Sequence, residues 1–147
     1  MFRRQPPPVG PGPQLLVGAN TSDDAAVYQL SNGTALVLTV DAFPPVIDDP
    51  YDYGWIVASN SLSDCWAMGG KPLSVLNIMG FPISDLPAEV MAEILSGGTD
   101  AVNSVGVCVA GGHTYSEARI LYGMSVTGII DPDRIIANDG AKPGDVI

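Results

Sequence analysis

The chain has 147 residues, 46% of them hydrophobic and 15% charged, which fits one globular domain of ordinary size with its own core. Its 16 acidic and 6 basic residues give a formal net charge of −10, and only Arg3-Arg4 are adjacent cations, so a nucleic-acid partner is excluded on electrostatic grounds. No apolar run approaches the ~20 residues that span a bilayer, and Met1-Phe2-Arg3-Arg4 leads into prolines and not an apolar leader, so no membrane contact and a cytoplasmic location are expected.

In chain order, residues 1–13 hold Pro6-Pro7-Pro8 and Pro11-Gly12-Pro13. Proline fixes φ and lacks an amide proton, so this stretch is predicted to be an extended flexible tail, with a single domain over 14–147. Strands are predicted over 25–30 and 35–41, joined by a turn at Ser31-Asn32-Gly33. Asp49-Pro50 opens a helix to about Met68, stopped by Gly69-Gly70. Within it Tyr53, Ile56, Val57, Asn60 and Asp64 recur at three- and four-residue spacing and share a face.

A buried strand follows over 73–81. Ser84 or Asp85 caps a second helix with Pro87 near its start, whose apolar face is Val90, Met91, Ile94, Leu95, Ala101, Val102 and Val105. A short buried strand over 107–110 runs into a glycine-rich turn, Gly111-Gly112-His113-Thr114. A strand over 120–130 carries Gly123, the mark of a bulge. Pro143-Gly144-Asp145 is a turn, and Val146-Ile147 begins a further strand. The mixed order predicts an α+β fold, a mixed or antiparallel sheet with flanking helices.

One His and two Cys leave little for soft-metal chemistry, and neither Cys65 nor Cys108 has a zinc-ligand spacing. Oxygen ligands are better placed. Thr21-Ser22-Asp23-Asp24-Ala25-Ala26-Val27 sets two carboxylates before a strand, Asp41 ends the next strand, and Asn60 and Asp64 lie one helical turn apart. Mg²⁺ takes one or two carboxylates together with substrate phosphates, so this set suits nucleotide and magnesium chemistry. Simpler roles stand beside it: an Asx turn for Asp23-Asp24, a turn for Asp41, a solvated helix edge for Asn60 and Asp64. Asp48, Asp49 and Asp52 suit helix capping. The amides of Gly111-Gly112 could take an anion or simply make a tight turn. His113 reads as a structural hydrogen-bonder. Cys65 reads as packing toward a neighbouring helix and Cys108 as a small buried hydrophobe.

Leu15-Leu16-Val17-Gly18, Thr21 to Tyr28, Ile47-Asp48-Asp49-Pro50-Tyr51-Asp52-Tyr53-Gly54, Asn60-Ser61-Leu62-Ser63-Asp64, Ala67-Met68-Gly69-Gly70-Lys71-Pro72 and Ala110-Gly111-Gly112-His113-Thr114 together resemble selenophosphate synthetase, or selenide, water dikinase, over its N-terminal domain. The resemblance implies the N-terminal fold of the aminoimidazole ribonucleotide synthetase superfamily, pairing as a homodimer through a β-barrel. It implies synthesis of selenophosphate from ATP, selenide and water, with Mg²⁺, giving AMP and phosphate. Asp24 and Asp64 would bind Mg²⁺. Thr21, Ser22, Asp23, Asp41, Asp64, Gly112, His113 and Thr114 would line ATP, with Asn60 in support. The family's nucleophilic Cys or selenocysteine and its ATP-binding Lys have no counterpart in residues 1–13, and its C-terminal domain is expected to be absent. Trp55 stands where the family commonly has Arg, and Ser116-Glu117-Ala118-Arg119 departs from its usual residues. The chain alone is therefore expected to lack full activity. The alternatives are a non-catalytic dimerisation or regulatory partner of a full-length enzyme, or a related small-molecule kinase.

Overall fold

Alternation of side chains builds one half-covered sheet. In the computed structural model, which describes residues 12–146, a short 3-10 turn at Gly12–Gln14 leads into β1 (Leu15–Val17), followed by β2 (Ala26–Gln29) and β3 (Ala35–Phe43). The chain continues through α1 (Pro50–Ala67), β4 (Lys71–Phe81), α2 (Ala88–Ser104), β5 (Cys108–Ser116) and β6 (Leu121–Ile130). The six strands are ordered β1-β2-β3-β6-β4-β5. All neighbours are antiparallel except β4 and β5, which run parallel on either side of α2. The sheet is thus mixed and the fold α+β, as the sequence predicts.

Ala35 and Val37 of β3, Val75, Met79 and Phe81 of β4, and Tyr122, Met124 and Val126 of β6 point to one face and form the core with Val57, Leu62, Ile94 and Val102 of the helices. The β2–β3 hairpin closes at Gly33, whose φ of +87° favours a residue without Cβ. Asp49 caps α1 by accepting from the Asp52 amide at 2.9 Å, with Pro50 in the first turn. The helices cross almost backbone to backbone. A Cβ at Gly54 would collide with the Ile94 carbonyl oxygen, and one at Gly97 with that of Tyr51.

Several expectations change. Of the expected tail, residues 1–11 lie outside the described residues, and Pro13 belongs to the first 3-10 turn. Ser84 and Asp85 do not cap α2. They sit in a turn where the Asp85 and Leu86 amides donate to the Pro82 carbonyl, and Pro87 occupies the cap position with no side-chain bond. The buried stripe of α1 is Tyr53, Gly54, Val57, Ala58, Ser61, Leu62 and Cys65, so Ile56 and Asn60 are exposed beside it. Val105 is likewise exposed.

Gly111-Gly112-His113-Thr114 is no turn: it lies inside β5, an exposed edge strand. That edge position also exposes Cys108. Cys65 is buried against the sheet, its Sγ filling the space left by Gly70 and Gly128, and not against a helix. Gly123 marks no bulge. It keeps register between Ala42 and Ile78 and admits the close approach of the Asp41 carbonyl.

Candidate functional site

Period-two alternation puts Thr39 and Asp41 of β3 on the helix-covered face, just past the last fully buried strand residue, Val37. Asn60 and Asp64 lie one turn apart on the shoulder of α1 that overhangs this part of β3. Two cross-links follow. Thr39 Oγ1 donates to Asp64 Oδ2 at 2.6 Å, and Asn60 Nδ2 donates to Asp41 Oδ2 at 2.6 Å. Asp24, just before β2, closes the group: its carbonyl oxygen lies 3.5 Å from the Thr39 hydroxyl. A shallow cavity of about 510 Å³ opens beside Asp24, bordered by Asp23, Asp24, Leu38, Thr39, Val40 and Ser125, while Asp41, Asn60 and Asp64 do not border it.

The electrostatics of this group are unfavourable on their own. Partial burial pushes the Asp64 carboxyl above its ordinary value, the bond from Thr39 opposes this, and the charges of Asp41 and Asp24 push it higher still. Asp64 is thus close enough to Asp41 and Asp24 to feel the charge of both. Among the described residues no three His, Cys, Asp or Glu side chains converge closely enough to cage a metal ion. A second cavity, of about 480 Å³, lies at the other end of β3 against Lys71 and Arg134, and none of these acids borders it.

Residues 22–130 match the family model of the AIR synthase related protein, N-terminal domain. The chain belongs to this family. Among curated relatives, it is 50% identical over 136 residues to a selenide, water dikinase of Geobacter metallireducens, covering 92% of this chain and 40% of that one. It is 55% identical over 133 residues to the selenide, water dikinase of Carboxydothermus hydrogenoformans, covering 90% and 38%. The chain thus spans about two fifths of the length of these relatives. Among solved structures it is similar to AaThiL complexed with AMPPCP and TMP, with a TM-score of 0.74 and 26% identity over 82% of this chain and 39% of that one. Thermotoga maritima PurL complexed with AMPPCP shares the fold, at a TM-score of 0.71, 18% identity, and coverage of 90% and 23%.

Within this AIR synthase related domain the predicted residues fall into two groups. Asp24, Asp41, Asn60 and Asp64 come together, while Gly112, His113 and Thr114 stand apart. Asp41 pairs with Met124, Met124 with Asn77, and Asn77 with Gly112, so one row of the sheet separates Asp41 from Gly112 by three strand spacings, about 14 Å. Thr21 and Asp23 bond each other. His113 stacks on Tyr115, their rings 6.2 Å apart. Sequence reasoning overlooked Thr39, although alternation from Asp41 places it on the same face. It also overlooked Asn138, whose contacts with Ser22 and Asp23 span more than a hundred residues and leave no local signal.

Among the described residues no helix is long and apolar enough to cross a membrane.

Proposed function

We propose that this chain is the ATP- and Mg²⁺-binding part of a selenide, water dikinase, the enzyme that makes selenophosphate, AMP and orthophosphate from ATP, selenide and water. The observation that carries this reading is the paired cross-link Thr39–Asp64 and Asn60–Asp41 facing Asp24, in a chain half identical to selenide, water dikinases over nine tenths of its length.

The donor set fits Mg²⁺. Asp24 and Asp64 supply two hard oxygen ligands, and an ion completed by phosphate oxygens needs no third protein carboxylate. When bound, the ion would neutralise charge on the transferring phosphates. The protein's own contribution is positioning. Thr39 orients the Asp64 carboxylate, and Asn60 donates to one oxygen of Asp41, which leaves the other for a ligand. The two cross-links hold these groups in place before ligand arrives. Catalysis of phosphoryl transfer rests largely on such positioning and on electrostatic complementarity.

The separation of Gly112, His113 and Thr114 from the acids supports a homodimer as the complete unit. The uncovered sheet face exposes Leu38, Val40, Leu73 and Leu76, an apolar surface that a second copy would cover.

The first test is titration of the 147-residue chain with ATP in Mg²⁺ and in EDTA. Mg²⁺-dependent binding that weakens about 10- to 100-fold in Asp24→Asn and Asp64→Asn supports the site. Unchanged affinity in both variants refutes it. Replacing the matching segment of the Geobacter metallireducens relative with this chain tests the reaction. Release of AMP and orthophosphate supports a dikinase, and ADP as the final nucleotide product points instead to a simple kinase.

A further inference from the structure

The loop that carries Asp24 is held by a clasp from the far end of the chain. Ser22 has φ +55°, the one positive value among described non-glycine residues, in a region that costs energy for any residue with a Cβ. Something must hold it there. The Asn138 side-chain Nδ2 donates to the Ser22 carbonyl at 2.9 Å, and the Asn138 amide donates to Asp23 Oδ1 at 2.6 Å. The other Asp23 oxygen accepts from the Thr21 hydroxyl. Both Asp23 oxygens are therefore engaged within the protein. The segment bearing Asn138 is itself anchored, since the Ile136 amide donates to the Met68 carbonyl at 3.1 Å, at the end of the helix that carries Asp64.

From this we infer that Asn138 and Asp23 are positioning residues for the acid site, and that Asp23 is a structural clasp and not a ligand of ATP or metal. Asp23 and Asp24 both border the cavity, but the Asp23 oxygens are already bonded to Asn138 and Thr21, and Ser22 sets the turn just before the two acids. One strap, residues 134–138, thereby touches both the end of α1 and the loop before β2. These are the two elements that present Asp64 and Asp24. The inference rests on the reading of these two acids as the ATP- and Mg²⁺-binding pair.

The test compares Asp23→Asn, Asp23→Ala and Asn138→Ala in the whole chain by two measurements: affinity for ATP in Mg²⁺, and backbone hydrogen exchange without nucleotide. An Asn at 23 keeps an acceptor for the Asn138 amide and gains an N–H donor for the Thr21 oxygen, but it carries no charge. A clasp predicts that Asp23→Asn binds within about threefold of the wild type, while Asp23→Ala and Asn138→Ala each lose about three- to tenfold, the worth of one or two hydrogen bonds. It also predicts faster exchange confined to residues 19–24 and 136–140 in the two alanine variants, with the sheet core unchanged. Asp23→Asn as weak as Asp24→Asn would make Asp23 a ligand and overturn the inference. Unchanged exchange in both alanine variants would overturn it equally. A wild-type chain that does not bind ATP with Mg²⁺ overturns the reading of the site instead. The exchange result then still decides whether the clasp exists.

Discussion

Asp64 is a residue whose usefulness and whose cost to folding have the same origin. Its carboxyl is held above the ordinary value of 3.8, first by burial and then by the charges of Asp41 and Asp24. Between the unfolded and the raised folded value, the folded state binds more protons than the unfolded one. Stability without metal therefore falls as pH rises through that window, and the loss is complete above the folded value. Asp64→Asn removes the charge but keeps an acceptor for Thr39. It is expected to raise the Tm of the metal-free chain, by on the order of a few °C at most because the group is partly solvated, while weakening Mg²⁺-dependent ATP binding. Scanning calorimetry with and without Mg²⁺ checks both signs.

Thr39→Val makes the opposite change. It deletes the bond that lowers the Asp64 value, so the pH midpoint for Mg²⁺-dependent binding should move upward. A titration of affinity against pH that leaves the midpoint in place would remove Thr39 from the site. Asn60→Asp sets a carboxylate against Asp41 at what is now a 2.6 Å hydrogen bond. It should lower Tm in the absence of divalent ion, with part of the loss recovered when Mg²⁺ is added.

Asp24, Asp41, Asn60 and Asp64 were legible in the sequence because each stands at the end of a periodic apolar run, where alternation or helical spacing fixes its direction. The partner of Asp23 was not: the bond from the Asn138 amide spans more than a hundred residues, a contact that no local pattern encodes.

Among the elements, the α1–α2 crossing sets the height of α1 above β3. Gly54 and Gly97 let the two main chains touch. Gly97→Ala must push the helices apart, and a cost of about 1–3 kcal/mol or more is expected, measurable as a lower urea midpoint. Because α1 carries Asn60 and Asp64, the same variant should weaken ATP binding in Mg²⁺ under conditions where it remains folded. Helix α1 was readable from capping and breakers, since Asp49-Pro50 starts it and Gly69-Gly70 follows its end, whereas Ser84 and Asp85, expected to cap α2, lie in a turn before it. The strand β5 was misread because strand pairing, not local composition, decided the matter. Two glycines inside an edge strand look the same in sequence as two glycines in a turn. Here Gly112 pairs with Asn77 of β4, where any side chain would meet the Asn77 backbone.

At the scale of the molecule, the helices cover one face of the sheet and leave the other open. Leu38, Val40 and Leu76 are 40%, 59% and 48% exposed, and Val40 and Leu76 lie in one row on either side of Ser125. If two copies pair through this face, Val40→Lys should yield a monomer by light scattering with an unchanged far-ultraviolet spectrum, and it should also weaken ATP binding if the partner's Gly112, His113 and Thr114 complete the site. A dimer that survives both Val40→Lys and Leu76→Glu would place the interface elsewhere. The sheet order could not be read from the sequence, because β6, the last of the described strands, lies between β3 and β4, far from its neighbours in the chain.

The backbone crossing of α1 and α2 also divides α1 into positions open and closed to substitution. Gly54 faces α2 and admits no side chain, whereas Trp55 and Ile56, the next two residues, are 39% and 38% exposed. Trp55 sits beside Tyr51, their ring centroids 6.4 Å apart, on the solvent side of the helix. Trp55 therefore lies on the solvent side of α1, where a change of side chain need not shift the acids that the helix presents to β3.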